Sequence, residues 1–140
     1  MEKYLFFDVD GTLYNEDKVI PASTLEALDL ARRNGHEIAI ATGRAPFMIK
    51  NLLQELDIHT YVCFNGQYVV YNNEVIFTDG VSNEMLTKLV NFASERNEPV
   101  VFLSDDQMVA TKGEHEEIEV SLGSLKFPYP SIDASYYLNK

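Results

Sequence analysis

The residues of this 140-residue chain best suited to chemistry lie near its start, in Asp8-Val9-Asp10-Gly11-Thr12-Leu13. Two carboxylates this close are costly unless a cation lies between them or one is protonated. Either outcome is useful. A hard divalent cation such as Mg²⁺ takes oxygen ligands and bridges to a phosphate. Environments that pull the two pKa values apart make one carboxylate a nucleophile and the other a general acid or base. Gly11 lets the backbone turn sharply, so that Asp10 folds back toward the same place. A pair of this kind can also do no more than cap a strand end. The attached Gly-Thr and the four apolar residues before it favour chemistry.

Such a pair needs a scaffold, and the first half of the chain alternates strand and helix signals. Tyr4-Leu5-Phe6-Phe7 is a continuous apolar run, which predicts a strand buried on both faces, as in a parallel sheet. Ser23-Thr24-Leu25-Glu26 reads as a capping box, and Leu25, Leu28 and Ala31 then repeat at helical spacing. Gly35 is the expected stop. Residues 37–41 form the second strand, Thr42-Gly43-Arg44 a turn, and Pro46 suits the first turn of a new helix. Ile49, Leu52, Leu53 and Leu56 mark the buried face of that helix. Residues 61–64 are the third strand, ending at Asn65-Gly66. This β-α-β-α-β order predicts a parallel sheet with right-handed crossovers. Ligands of such sheets gather at the carboxyl ends of the strands, where Asp8, Thr42 and Asn65 all fall.

After the third strand the pattern changes. Residues 67–71 and 74–78 flank Asn72-Asn73, a two-residue hairpin signal. Asp79-Gly80 looks like a boundary. Leu86, Leu89, Val90 and Ala93 predict a helix to about Asn97. Residues 100–103 and 108–111 then make a second hairpin, with Ser104-Asp105-Asp106 in its turn. Beyond Lys112 the reading weakens. Glu114, Glu116, Glu117 and Glu119 read as a solvated face or loop, and Pro128-Tyr129-Pro130 excludes regular structure there. The expected domains are residues 1–80 and residues 81–140, the latter poorly defined after 112.

Composition narrows the function classes. Apolar residues make up 46% and charged residues 24%, a globular balance. With 11 basic against 22 acidic residues, the net charge of −11 repels nucleic-acid phosphates. An anionic small substrate would need a local positive device: a metal ion, an arginine or a helix N-terminus. The single Cys63 allows no intrachain disulfide and lies in an apolar run, as a buried small hydrophobe would. His36, His59 and His115 lack metal-ligand spacing. No apolar run reaches the length of a membrane span and no signal-peptide layout is present, so a cytoplasmic protein is expected.

Asp8-Val9-Asp10-Gly11-Thr12-Leu13 resembles the first signature of the haloacid dehalogenase superfamily of phosphohydrolases. Ala41-Thr42-Gly43-Arg44 is similar to its second. Phe64-Asn65-Gly66 followed by hairpin, helix and hairpin resembles the Cof-type branch, which inserts a large α/β cap after the third strand. The resemblance covers Met1 to about Thr111. It implies a three-layer α/β/α sandwich with a parallel Rossmann-like sheet, incomplete here, plus the start of the cap. It also implies a Mg²⁺-dependent phosphatase of small phosphorylated metabolites. Asp8 would be the nucleophile that forms an aspartyl-phosphate, and Asp10 would protonate the leaving group and then deprotonate water. The Asp8 side chain and the Asp10 carbonyl would bind Mg²⁺. Thr42 and the Gly43 amide would hold phosphate oxygens, while Arg44, Asn65 and Gly66 are further candidates for the substrate site and Thr12 a weaker one.

The resemblance further implies a lysine after the cap and a distal acidic pair near a Gly-Asp. Neither has a counterpart in this sequence, so the chain reads as an N-terminal piece with little or no turnover by itself. Two other readings compete. A receiver-like phosphoacceptor domain would suit the length, but it separates its acidic pair from its phosphoacceptor, and no Asp ends the strand at residues 61–64. The third reading is an inactive chain that only binds.

Overall fold

A computed structural model of the chain describes residues 3–139. It divides into two compact units, Met1–Asp79 and Gly80–Lys140. In the first, β1 (Tyr4–Phe7), α1 (Ala22–Arg33), β2 (Glu37–Ala41), α2 (Pro46–Glu55) and β3 (Tyr61–Cys63) are followed by the hairpin β4 (Tyr68–Tyr71) and β5 (Glu74–Thr78). The strands form one sheet in the order β1-β2-β3-β4-β5. β1, β2 and β3 run parallel, with Phe6 opposite Ala39 and Ala41 opposite Val62. β4 and β5 continue the sheet antiparallel. Asn72 and Asn73 turn the hairpin with φ of 48° and 65°, the left-handed pair that a two-residue hairpin requires.

Helices α1 and α2 contribute to one apolar core with Leu5, Phe7, Ile38, Ile40 and Cys63, centred on Leu28, Ile49, Leu52 and Leu56. Leu13, Ile40, Ile49 and Leu52 are each at most 2% exposed. The expectation for β1 fails on its other face: Tyr4 and Phe6 remain 42% and 55% exposed. β1 is the edge strand, and a run with no polar alternation says nothing about whether a second layer covers it. The capping box fails as well. Helix α1 begins one residue before Ser23, behind Pro21, whose fixed φ of −62° already suits a helix entry and which offers no side-chain cap. The helix ends as expected, with Gly35 at φ 77° and its amide on the Arg32 carbonyl at 2.9 Å.

In the second unit, α3 (Asn83–Glu95) precedes a three-stranded sheet of β6 (Val101–Leu103), β7 (Met108–Ala110) and β8 (Ser131–Ile132), with α4 (Glu116–Ser124) between β7 and β8. Ser82 caps α3 by accepting from the Met85 amide at 3.4 Å. The stretch expected to be a solvated face or loop is α4. Glu116, Glu117 and Glu119 fill its first turn, where the helix dipole favours carboxylates. Ile118 and Leu122, four residues apart, are buried beneath it. No helix among the described residues is long and apolar enough to cross a membrane.

Candidate active site

The chain leaves β1 through a loop pinned by two buried side chains. Val9 and Leu13 are 0% and 1% exposed, and the Leu13 and Tyr14 amides both donate to the Val9 carbonyl, at 3.1 and 2.9 Å. Gly11 sits at φ 76° and its amide reaches the Tyr14 carbonyl at 3.1 Å. The turn predicted from Gly11 is therefore present, and it carries Asp8 and Asp10 at the carboxyl end of β1.

The loops after β2 and β3 are tied to each other. The Asn65 amide donates to the Thr42 carbonyl at 3.2 Å, and the Phe64 amide to the Arg44 carbonyl at 3.2 Å. Phe64, Asn65 and Gly66 all have positive φ, 51°, 55° and 106°. Thr42 is buried, and its Oγ1 accepts from the Arg44 amide at 3.2 Å. The hydroxyl thus keeps its own proton to donate. A Cβ on Gly43 would come within 3.0 Å of Asn65 Oδ1, so any larger residue there would push on the Asn65 side chain.

An open cavity of about 440 Å³ lies at this edge, lined by Asp8, Ala41, Thr42, Gly43, Val62, Asn65 and Gly66. Five residues singled out from sequence thus meet at one cavity: Asp8, Thr42, Gly43, Asn65 and Gly66. Asp10 and Arg44 do not line it; they are engaged with each other. The Arg44 guanidinium grips the Asp10 carboxylate with both arms, Nε to Oδ2 and Nη2 to Oδ1, each at 2.8 Å. Lys18 Nζ adds a third contact to Oδ1 at 2.6 Å. The Arg44 hydrogen bond is the main reason that Asp10 ionises below its ordinary value; partial burial opposes the shift and Lys18 reinforces it. Asp8 has no partner of this kind among the described residues. The two carboxylates are therefore inequivalent: one is exposed at the cavity, the other clamped.

Sequence reasoning missed Lys18. It stands on a tight turn where the Asn15 amide donates to the Val19 carbonyl at 3.0 Å and the Val19 amide to Asn15 Oδ1 at 2.9 Å. No periodicity or motif marks a loop lysine, and only the folded turn brings it to Asp10. Cys63, by contrast, is buried as read, and burial pushes its thiol up to about 12, which leaves it inert as a nucleophile.

A parallel sheet with a D-x-D loop after its first strand, a Thr-Gly-Arg turn after its second and a cavity between them defines a haloacid dehalogenase-type hydrolase. The family model described as haloacid dehalogenase-like hydrolase matches residues 5–139, and the chain belongs to that family, in its Cof-type branch. It is 42% identical over 138 residues to YkrA of Bacillus subtilis (strain 168), covering 99% of this chain and 54% of that protein. It is 30% identical over 110 residues to pyridoxal phosphate phosphatase YbhA of Escherichia coli (strain K12), covering 76% of this chain and 40% of that one. Among solved structures, the subclass IIB sugar phosphatase BT4131 superposes with a TM-score of 0.81 at 32% identity, covering 99% of this chain and 55% of that one. The chain spans about half the length of the curated relatives it matches. Membership in this family displaces the receiver-like reading.

Proposed function

We propose that this chain carries the nucleophile half of a phosphatase site for small phosphorylated metabolites. One observation carries the reading: an exposed Asp8 shares a cavity with the Thr42 hydroxyl and the Gly43 backbone at the carboxyl ends of parallel strands. Related proteins act on small phosphorylated metabolites, and a net charge of −11 argues against nucleic acid as the substrate.

In the first half of the reaction, an Asp8 carboxylate oxygen attacks phosphorus and the bond to the ester oxygen breaks. Asp10, a carboxylate within the Arg44 and Lys18 clamp until it takes up a proton, gives that proton to the ester oxygen, and the alcohol leaves. In the second half, Asp10, now a carboxylate, takes a proton from water as the water oxygen attacks phosphorus. The bond to Asp8 breaks, inorganic phosphate forms, and both aspartates return to their starting states. A carboxylate nucleophile divides one hard step into two, and one group serves as acid and then base. Thr42 Oγ1 and the Gly43 amide hold the phosphoryl oxygens, with Asn65 and Gly66 forming the far wall. Such transfer depends on positioning and charge neutralisation more than on covalent chemistry by the protein.

The donors fit a hard cation in part. The Asp8 carboxylate and the Asp10 carbonyl are oxygen ligands of the type Mg²⁺ takes, and Asp10's own carboxylate is occupied by Arg44 and Lys18. Among the described residues no cluster of three or more His, Cys, Asp or Glu gathers to hold a metal. Asp8 and the Asp10 carbonyl would hold the ion, which when bound neutralises phosphate charge. The test is phosphate release from a panel of monoesters with Mg²⁺ present, comparing a full-length form with its Asp8→Asn variant. Loss of release with the fold intact is the expected result; equal release from both proteins overturns the reading.

A further inference from the structure

We propose that Arg44 and Lys18 are positioning residues that act through Asp10 and not on the substrate, an inference that rests on the proposed role of Asp10. Arg44 is part of the second strand-end turn, Lys18 of the turn at residues 15–19, and Asp10 of the first strand-end loop. Their side chains meet on one carboxylate. The guanidinium makes two bonds of 2.8 Å to the two Asp10 oxygens. A two-armed contact of this type fixes the plane of a carboxylate, which a point charge cannot do.

The side chain of Arg44 is only 10% exposed, so the grip is shielded from water; that of Lys18 is 25% exposed. The Arg44 backbone is held too, its amide on Thr42 Oγ1 at 3.2 Å and its carbonyl by the Phe64 amide at 3.2 Å. One residue thereby joins the three loops that follow β1, β2 and β3. Lys18 adds its bond from the outer side and ties the turn at residues 15–19 to the same oxygen that Arg44 Nη2 grips. Neither Asp10 nor Arg44 lines the cavity beside Thr42 and Gly43, and two of the three Arg44 guanidinium nitrogens are spent on the Asp10 carboxylate. Arg44 therefore governs where the acid sits, and the cavity's own residues hold the phosphate.

The test exploits leaving groups. Acetyl phosphate expels acetate, which needs no proton, whereas an alkyl phosphate expels an alkoxide that does. Single-turnover transfer is followed with the protein in excess for both compounds, in a full-length form as the parent and in its Asp8→Asn, Asp10→Asn, Arg44→Gln, Arg44→Lys and Lys18→Met variants and the double variant Asp10→Asn/Arg44→Gln. General acid catalysis contributes about 100-fold or more, so Arg44→Gln should slow the alkyl ester by about tenfold or more while acetyl phosphate changes less than about threefold. Arg44→Lys, with charge but no fork, should recover part of the loss. Lys18→Met should show the same split in smaller degree. In the double variant the Arg44 change should add nothing to Asp10→Asn.

Equal slowing of both compounds in Arg44→Gln, or additive losses in the double variant, overturns the inference while leaving Asp10 as the acid. Asp10→Asn without any leaving-group split, or transfer undiminished in Asp8→Asn, overturns the underlying reading instead. Absence of transfer in the parent removes both.

Discussion

The two units of this chain are built to different standards. In Met1–Asp79, Leu13, Ile40, Ile49 and Leu52 are each at most 2% exposed, and the site loops are pinned directly to that core through Val9 and Leu13. In Gly80–Lys140, α3 has no buried residue, and Met85, Leu89 and Phe92 are 49%, 48% and 58% exposed. An apolar cavity of about 390 Å³, lined in part by Leu86, Leu89, Phe102 and Tyr137, lies beside that helix. The contrast shows what a site of this kind requires. Groups that must hold fixed distances stand on dense packing, because a close-packed interior resists displacement. Among the described residues of the second unit no group of three or more His, Cys, Asp or Glu gathers to hold a metal ion, and helix α3 buries none of its residues.

The largest expected effect tests where the chemistry lives. In a full-length form, Asp8→Asn should lower phosphate release by several orders of magnitude, because the amide keeps the shape but lacks the nucleophilic charge. Steady-state assays should show no comparable loss for Phe92→Ala in the second unit, and similar losses in both would erase the distinction between the units.

The next effect tests packing. Ile49→Ala should cost about 2–5 kcal/mol through lost burial and a residual cavity. Phe92→Ala should cost about 1 kcal/mol or less, mainly through the Arg96 guanidinium that lies 3.6 Å from its ring. Urea unfolding of both variants measures the gap, and equal midpoints would show that α3 is better supported than its exposure indicates.

Thr42→Ala comes third. It removes one hydrogen bond to a charged oxygen, worth about 1.5–3 kcal/mol, and so should reduce turnover by roughly tenfold to a few hundredfold. A loss as complete as that of Asp8→Asn, with folding preserved, would contradict this ranking. Ser82→Ala removes the cap of α3 and should cost about 1 kcal/mol, read out as faster amide exchange in the first turn of that helix.

The smallest effect is a pH dependence. Arg44 lowers the Asp10 pKa in the folded state, so the pair contributes stability above the unfolded value of about 4. That contribution is lost as the pH falls through the lower folded value. Because Asp10 is about one-third exposed, solvent screens the contribution. In metal-free buffer, Asp10→Asn should flatten the acid limb of the stability curve, and an unchanged slope would show that the clamp adds little to folding.

Much of the first unit was legible because its signals are local. Apolar runs, Gly35, Pro46 and Asn72-Asn73 each dictate backbone geometry within a few residues. The cavity was legible because strand ends in a parallel sheet converge. What escaped was tertiary. Exposure of Tyr4 and Phe6 depends on what lies against the sheet, which their own alternation does not encode. The Lys18 contact depends on a turn that brings together residues eight positions apart. The helix α4 was readable in principle, since Glu116 and Glu117 precede an Ile118/Leu122 pair. The four closely spaced glutamates are exposed, as read; what they left open was whether that solvated face belonged to a helix or a loop.

Three successive residues beside the cavity, Phe64, Asn65 and Gly66, adopt left-handed backbone. Only glycine does so without penalty, and each non-glycine residue there costs of order 1–3 kcal/mol, sustained by its surroundings. A protein selected purely for resistance to heat would relax this corner first. That strain is the cost of holding the Asn65 and Gly66 wall in one shape, and a wall held in one shape leaves less ordering to be done upon binding.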